Sequence, residues 1–177
     1  MQFVLYTHLA EVDSQHKNKK YLYAMDLKLD LLSFLEALPS RQGQQGNQTF
    51  DPIRRKWVAA TPEEMVRQAL IQYIITISAY QKSKVQVEKS LTLNGLTKRF
   101  DIVVYDKKVL PFMLIECKSF KVKIDQKVAD QVARYNMVMG APYILVSNGL
   151  VSYCASIDDN KDITFLNTLP TYPSGQK

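Results

Sequence analysis

Cysteine is nearly absent from this chain, with two in 177 residues, Cys117 and Cys154. Two thiols so far apart exclude a disulfide framework, and no C-x-x-C or Cys/His cluster offers structural zinc. A reducing, cytoplasmic setting is the expectation. Long hydrophobic runs are also missing. The most apolar stretch, Leu70–Tyr80, carries Gln72 and several hydroxyls and is too short to span a bilayer. Met1–Ala10 lacks a basic region ahead of its apolar residues, so no secretory signal is expected. Internal repeats are absent, and no Gly-rich Walker loop occurs, which removes ATP-driven movement from what these residues can do.

What remains is an ordinary soluble composition, 46% hydrophobic and 23% charged, with a net charge of +6. The excess of cations weakly favours an anionic partner such as nucleic acid. Residues 1–26 read as a loosely attached extension, with Phe3–Tyr6 as a possible short strand and Met25 as a candidate start. Residues 27–167 read as a single domain, and residues 168–177 as a Pro/Ser/Gly tail. Leu27–Leu38 is apolar but ambiguous between helix and strand. Pro39–Asn47 has the composition of a flexible loop. Phe50–Val58 reads as a turn into a short strand, and its basic triplet Arg54–Lys56 could meet phosphate or simply be solvated.

Thr61-Pro-Glu-Glu predicts a helix start: Thr61 as N-cap, Pro62 in the first turn, Glu64 as in a capping box. Val66, Leu70, Tyr73, Ile74 and Ile77 then form an apolar face, and helical phase points Glu63 along it. Beyond it, Lys84–Thr92 and Leu96–Tyr105 alternate as strands about an Asn94-Gly95 hairpin turn. Phe112–Lys118 extends this meander. Ile124–Gly140 predicts an amphipathic helix, and Tyr143–Ser147 a buried strand pairing parallel with the preceding one. Val151–Ile157 and Ile163–Leu166 are two further strands.

The central strands carry acid where they should be greasy. Asp101 lies in the first and Glu116 in the second, and Lys118, two residues after Glu116, leaves the same face. A buried carboxylate costs several kcal/mol unless a cation or hydrogen bonds compensate. Two such carboxylates held close raise one pKa unless a divalent cation keeps both ionised. Oxygen ligands without His or Cys favour Mg²⁺ or Mn²⁺. Asp101, Glu116, the Cys117 carbonyl and a substrate phosphate could surround such an ion, with Lys118 orienting water or stabilising charge on a phosphorane. An internal ion pair, Glu116–Lys118 or Asp101–Arg99, accounts for the same residues, and both readings stand at this point.

The order of motifs resembles the PD-(D/E)xK nuclease superfamily, and more closely the N-terminal endonuclease-like domain of type I restriction enzyme R subunits. The resemblance runs from about Phe50 to about Leu166. It rests on Thr61-Pro-Glu-Glu-Met-Val-Arg-Gln68, Val87–Leu93, Arg99-Phe-Asp-Ile-Val-Val104, Leu114-Ile-Glu-Cys-Lys118, Asp130–Asn136 and Ala141–Gly149. Phe100 stands where the superfamily name has proline.

The resemblance implies a restriction-endonuclease-like α/β core: a central mixed sheet flanked by helices, ordered helix, three-strand meander, helix, strand. It implies Asp101 and Glu116 as metal ligands, Lys118 as the catalytic lysine, and one helix glutamate, Glu63 or Glu64, completing the site. Gln131 and Tyr135 resemble the Q-x-x-x-Y motif of such nucleases. DNA is the implied substrate, with a motor or specificity subunit or a second copy as possible partners. A non-catalytic nucleic-acid-binding module of the same fold is the alternative, with Arg54, Arg55, Lys121 and Lys123 as its contacts.

Overall fold

The computed structural model describes residues 27–78, 80–93 and 96–173. The expected N-terminal extension and the Asn94-Gly95 turn lie outside the described residues. The ambiguous apolar segment resolves into a short helix, α1 (Leu31–Glu36), capped by Asp30. Pro39–Asn47 is not a loop. It enters a hairpin of β1 (Ser40–Gly43) and β2 (Gly46–Asp51), which pairs with β3 (Lys56–Ala59) in a three-stranded antiparallel sheet. Composition misled here because Gly46, at φ 114°, supplies the left-handed residue that lets two polar strands turn tightly.

Helix α2 (Pro62–Thr76) starts as its sequence dictates, with Thr61 Oγ accepting the Glu64 N–H at 3.2 Å. The capping box does not close. The Glu64 carboxylate turns inward to cations, and the Thr61 N–H goes to the Ala59 carbonyl instead. Val66, Leu70, Ile71 and Ile74 are buried, whereas Ile77, predicted on the same face, lies 60% exposed at the C-cap.

The main sheet has the order β4-β5-β6-β7-β8-β9. Strands β4 (Val85–Leu93), β5 (Leu96–Tyr105) and β6 (Pro111–Cys117) form the antiparallel meander. Helix α3 (Gln126–Met139), capped by Asp125 and ended by Gly140 at φ 67°, crosses over to β7 (Tyr143–Ser147), which runs parallel to β6. Strands β8 (Ser152–Ile157) and β9 (Ile163–Leu166) complete the far edge.

Alternation divides the sheet between two cores. Ile102, Val104, Met113, Ile115, Cys117 and Leu145 pack with α1 and α2, while Val103, Leu114, Ile144 and Val146 pack with Ile124 and Val132 near and on α3. The segment expected as a tail belongs to the first core as far as Tyr172, which is buried beside Tyr80 and Phe112 and donates to the Tyr105 carbonyl at 3.0 Å. Proline and small polar residues suggested a free end, but one aromatic side chain removed from water outweighs them. Among the described residues no helix is long and apolar enough to cross a membrane. Helix, meander, helix and parallel strand follow in the restriction-endonuclease-like order.

Candidate active site

Where β5 meets its neighbours at Asp101, the ladder opens on both sides. Across β4–β5 the register passes from Val87↔Ile102 to Lys89↔Phe100, skipping Glu88 and Asp101. Glu88 sits at φ 52°, a left-handed conformation that costs a non-glycine residue roughly 1–2 kcal/mol. Across β5–β6 the pairing stops at Ile102↔Ile115. The Asp101 carboxylate then takes the place of the missing ladder bond, Oδ2 accepting the Cys117 N–H at 2.7 Å. The irregularity also reverses the facing of the strand, since Phe100 packs in the α3 core and Ile102 in the α2 core. The register is the same on either side of the opening, so neither strand gains a residue, and the one position left unpaired on each strand is an acid, Glu88 or Asp101.

Around this opening stand Asp51, Glu63, Glu64, Glu88, Asp101 and Glu116, with Arg54, Arg67, Arg99 and Lys118 between them. Six carboxylates against four cations leave a surplus of two negative charges in a protein that is basic as a whole. Arg67, buried on α2, donates to Glu64 and, at 2.8 Å, to Asp101 Oδ1. Burial opposes its charge, and Asp101 and Glu64 outweigh that penalty. Arg54 forks to Asp51 at 2.5 Å, to Glu64 at 2.6 Å and to Glu88. Gln68 bridges Asp51 and Glu64 at 3.0 and 2.7 Å.

The structure brings Asp101, Glu116 and Lys118 into one electrostatic unit. Lys118 Nζ donates to Glu116 Oε1 at 2.5 Å, so the expectation that they share a face holds. Burial pushes the Glu116 carboxyl up, Asp101 pushes it further, and the Lys118 ammonium only partly offsets both. Burial lowers Lys118, but the Glu116 hydrogen bond and charge overcome it and hold the ammonium protonated. Arg99 pairs with Glu88 rather than Asp101, and Glu88 meets it from the left-handed position on β4.

The two helix glutamates divide the work. Glu64, not Glu63, is the inward residue: its side chain is 9% exposed, against 47% for Glu63. Helical phase missed this because the cations Arg54 and Arg67 draw a polar face inward beside the apolar one. Glu63 nevertheless lies near enough to repel Glu116 and to raise Lys118. Arg54 is a structural cation, so its assignment as an exposed phosphate contact is withdrawn. Arg55, Lys121 and Lys123 are exposed as that role requires. Gln131 is half-buried on α3, and the side chain of Tyr135 lies outside the described residues. Asp51, Glu88 and Arg67 were missed in the sequence. Arg67 and Gln68 close the Thr61–Gln68 motif, and that was the available signal.

Among the described residues no three carboxylate, imidazole or thiol groups stand grouped as a ready ligand set. The cations keep the carboxylates apart. The donors are nevertheless all hard oxygen, carry surplus negative charge, and include a Glu116–Asp101 pair that repels, so this chemistry suits Mg²⁺ or Mn²⁺. Cys117 offers only backbone here, since burial and the neighbouring Asp101 hold its thiol protonated.

Asp51 anchors the second half of the network and gives it a pH dependence. Burial raises its carboxyl, but the Arg54 N–H, the Arg54 guanidinium and Gln68 prevail and hold it below the usual value. A depressed carboxylate contributes stability above its unfolded pKa and loses it as pH falls through the folded value. The difference in unfolding free energy between the protein and Asp51→Asn is therefore expected to be widest at neutral pH and to shrink below about pH 4. Urea denaturation across that range measures it, and a difference independent of pH contradicts the assignment.

No curated protein matches this chain. Among solved structures, a fragment described as an HsdR subunit of a type I restriction enzyme, from Vibrio vulnificus YJ016, is 21% identical, with a TM-score of 0.33. That match covers 50% of this chain and 17% of the other. The model of the type I restriction enzyme R protein N terminus matches residues 62–170, more than half of the chain and every strand of the main sheet, and the protein belongs to that family.

Proposed function

We propose that residues 27–167 form a single nuclease domain that hydrolyses phosphodiester bonds in DNA with Mg²⁺ or Mn²⁺. The observation that carries this is the opened ladder at Asp101, which gathers Asp101, Glu116 and Lys118 at one point of a rigid sheet. Asp101, Glu116, the Cys117 carbonyl and a helix glutamate, Glu63 or Glu64, would hold the ion. When bound, the ion supplies a water of lowered pKa and polarises the scissile phosphate. Asp101 and Glu116 keep their oxygens aimed because each is tied to the protein, one by the Cys117 N–H and the other by Lys118. Lys118, held protonated, cannot take a proton from water. It instead stabilises the negative charge that grows on the phosphoryl oxygens. Gln131 and Tyr135, one turn apart on α3, would contact the DNA backbone beside the site.

The setting that fits this activity is the cytoplasm, as part of a restriction system whose motor or specificity subunits deliver DNA, with a second copy of the chain as another partner. A second reading, a nucleic-acid-binding module without cleavage, is favoured by one observation: Asp101, Glu64 and Glu116 each already face a cation. Incubating supercoiled plasmid and single-stranded circles with Mg²⁺, Mn²⁺ or EDTA separates the two. Nicking that requires the divalent ion is expected, together with calorimetric metal binding that Glu116→Ala abolishes. DNA binding with no cleavage under either metal establishes the second reading instead.

A further inference from the structure

The small sheet β1–β3 does no work in the reaction just described, yet its two faces differ sharply. Thr49 and Asp51 are fully buried toward α2. By strand alternation and register, Arg41, Gln48, Phe50 and Trp57 share the opposite face. There the Arg41 guanidinium lies 4.4 Å from the centre of the Trp57 ring and donates to Gln48 at 2.9 Å. Phe50 packs edge-on against Trp57 with ring centres 5.5 Å apart. Both rings remain half-exposed. The sole acid between Ser40 and Ala60 is Asp51, which is buried and neutralised by Arg54. The exposed charges on this sheet and its turns, Arg41, Arg55 and Lys56, are therefore all positive.

We propose that this face is a DNA-binding wing, on which unpaired bases stack against Trp57 and Phe50 while Arg41, and Arg55 from the adjoining turn, hold phosphates; the proposal rests on DNA being the substrate of the neighbouring site. Partly exposed aromatic rings beside cations and amide donors, as Phe50 and Trp57 are here, are what a single strand uses for sequence-tolerant binding. Apolar partners are a poor match, because the exposed cations Arg41 and Arg55 would have to be dehydrated. The wing is also fixed relative to the acidic opening. Arg54, in the β2–β3 turn, binds Asp51 on the wing, Glu64 on α2 and Glu88 on β4. A strand gripped by the wing is thereby held in constant relation to Asp101.

Trp57 is the single tryptophan of the chain, so its emission reports on the wing directly. The experiment titrates the full chain carrying Lys118→Ala, in EDTA, with an oligothymidylate of about 15 nucleotides, reading Trp57 emission and oligonucleotide anisotropy together. Quenching that tracks anisotropy is expected. Arg41→Gln/Arg55→Gln, both at exposed positions, should weaken binding about tenfold or more at low salt and flatten the salt slope by up to about 1.4. Arg41→Lys should retain most of the affinity. An anisotropy rise with Trp57 emission unmoved, double-variant affinity equal to the parent's, or no binding at all overturns the wing. Cleavage is assayed separately with the unsubstituted chain. If quenching occurs without any metal-dependent cleavage, the nuclease reading fails and the wing stands.

Discussion

Lys118→Ala is expected to slow metal-dependent DNA cleavage about 10³-fold, the loss typical of removing one preorganised group that faces developing charge. The geometry defines which step suffers. Lys118 is a donor, 2.5 Å from Glu116 and protonated, so its removal takes positive charge from the transition state, not a base from the water. It also leaves Glu116 with burial and Asp101 acting on it unopposed, which raises that carboxyl further. Metal affinity in Lys118→Ala should consequently weaken as pH is lowered, more steeply than in the parent. Lys118→Arg preserves the charge beside Glu116, so it should restore metal affinity while recovering only part of the rate. Cleavage by Lys118→Ala at the parental rate would remove Lys118 from the site.

Arg67→Met is expected to give the largest change in stability. The Arg67 side chain is 7% exposed and faces Glu64 and Asp101, with Glu88 and Glu63 at 3.5 and 3.6 Å. Methionine keeps the volume and removes the charge, leaving carboxylates that were paired with no partner. Breaking a buried pair from one side costs about 3–5 kcal/mol, a fall in melting temperature on the order of 10 °C for a domain of this size. The same substitution should make the chain more responsive to metal. With Arg67 gone, Asp101 loses its direct ion pair and a divalent ion can take that place, and an ion at about 100 times its Kd adds about 2.7 kcal/mol. Thermal unfolding in EDTA and in Mg²⁺ measures both parts. If Mg²⁺ raises the midpoint of Arg67→Met no more than that of the parent, Arg67 and the metal do not share carboxylates.

Tertiary contact, not pattern, explains the misreadings of the fold. Pro39–Asn47 looked like a loop because it is polar and interrupted by two glycines, and the strand it enters, β2, buries Thr49 and Asp51, which are not apolar. The burial of Asp51 makes sense only once Arg54, three residues on, and Gln68, from α2, both bond to it. Tyr172 looked like part of a free tail until the pocket formed by Tyr80 and Phe112 gave its ring a place to leave water. Glu63 was judged the inward glutamate by helical phase, which counts apolar neighbours and takes no account of a buried guanidinium.

Some features needed nothing beyond the local sequence. The start of α2 follows from Thr61 and Pro62, the meander from alternating apolar residues, and the crossover to a parallel β7 from a helix ended by glycine between two apolar strands. The shared face of Glu116 and Lys118 follows from the two-residue period of a strand. Those are short-range consequences of backbone geometry, so the sequence by itself determined them. How the acids are neutralised was decided only in three dimensions. Asp51, Glu64, Glu88 and Asp101 come from three separate strands and a helix, and the cations that answer them come from a turn, from that same helix and from β5. Spacing accounts for the pairs three residues apart, Asp51–Arg54 and Glu64–Arg67, but not for the links that join them to Glu88 and Asp101. The reason is that those charges are stable in place only when partners distant in sequence are there to replace the water they have lost.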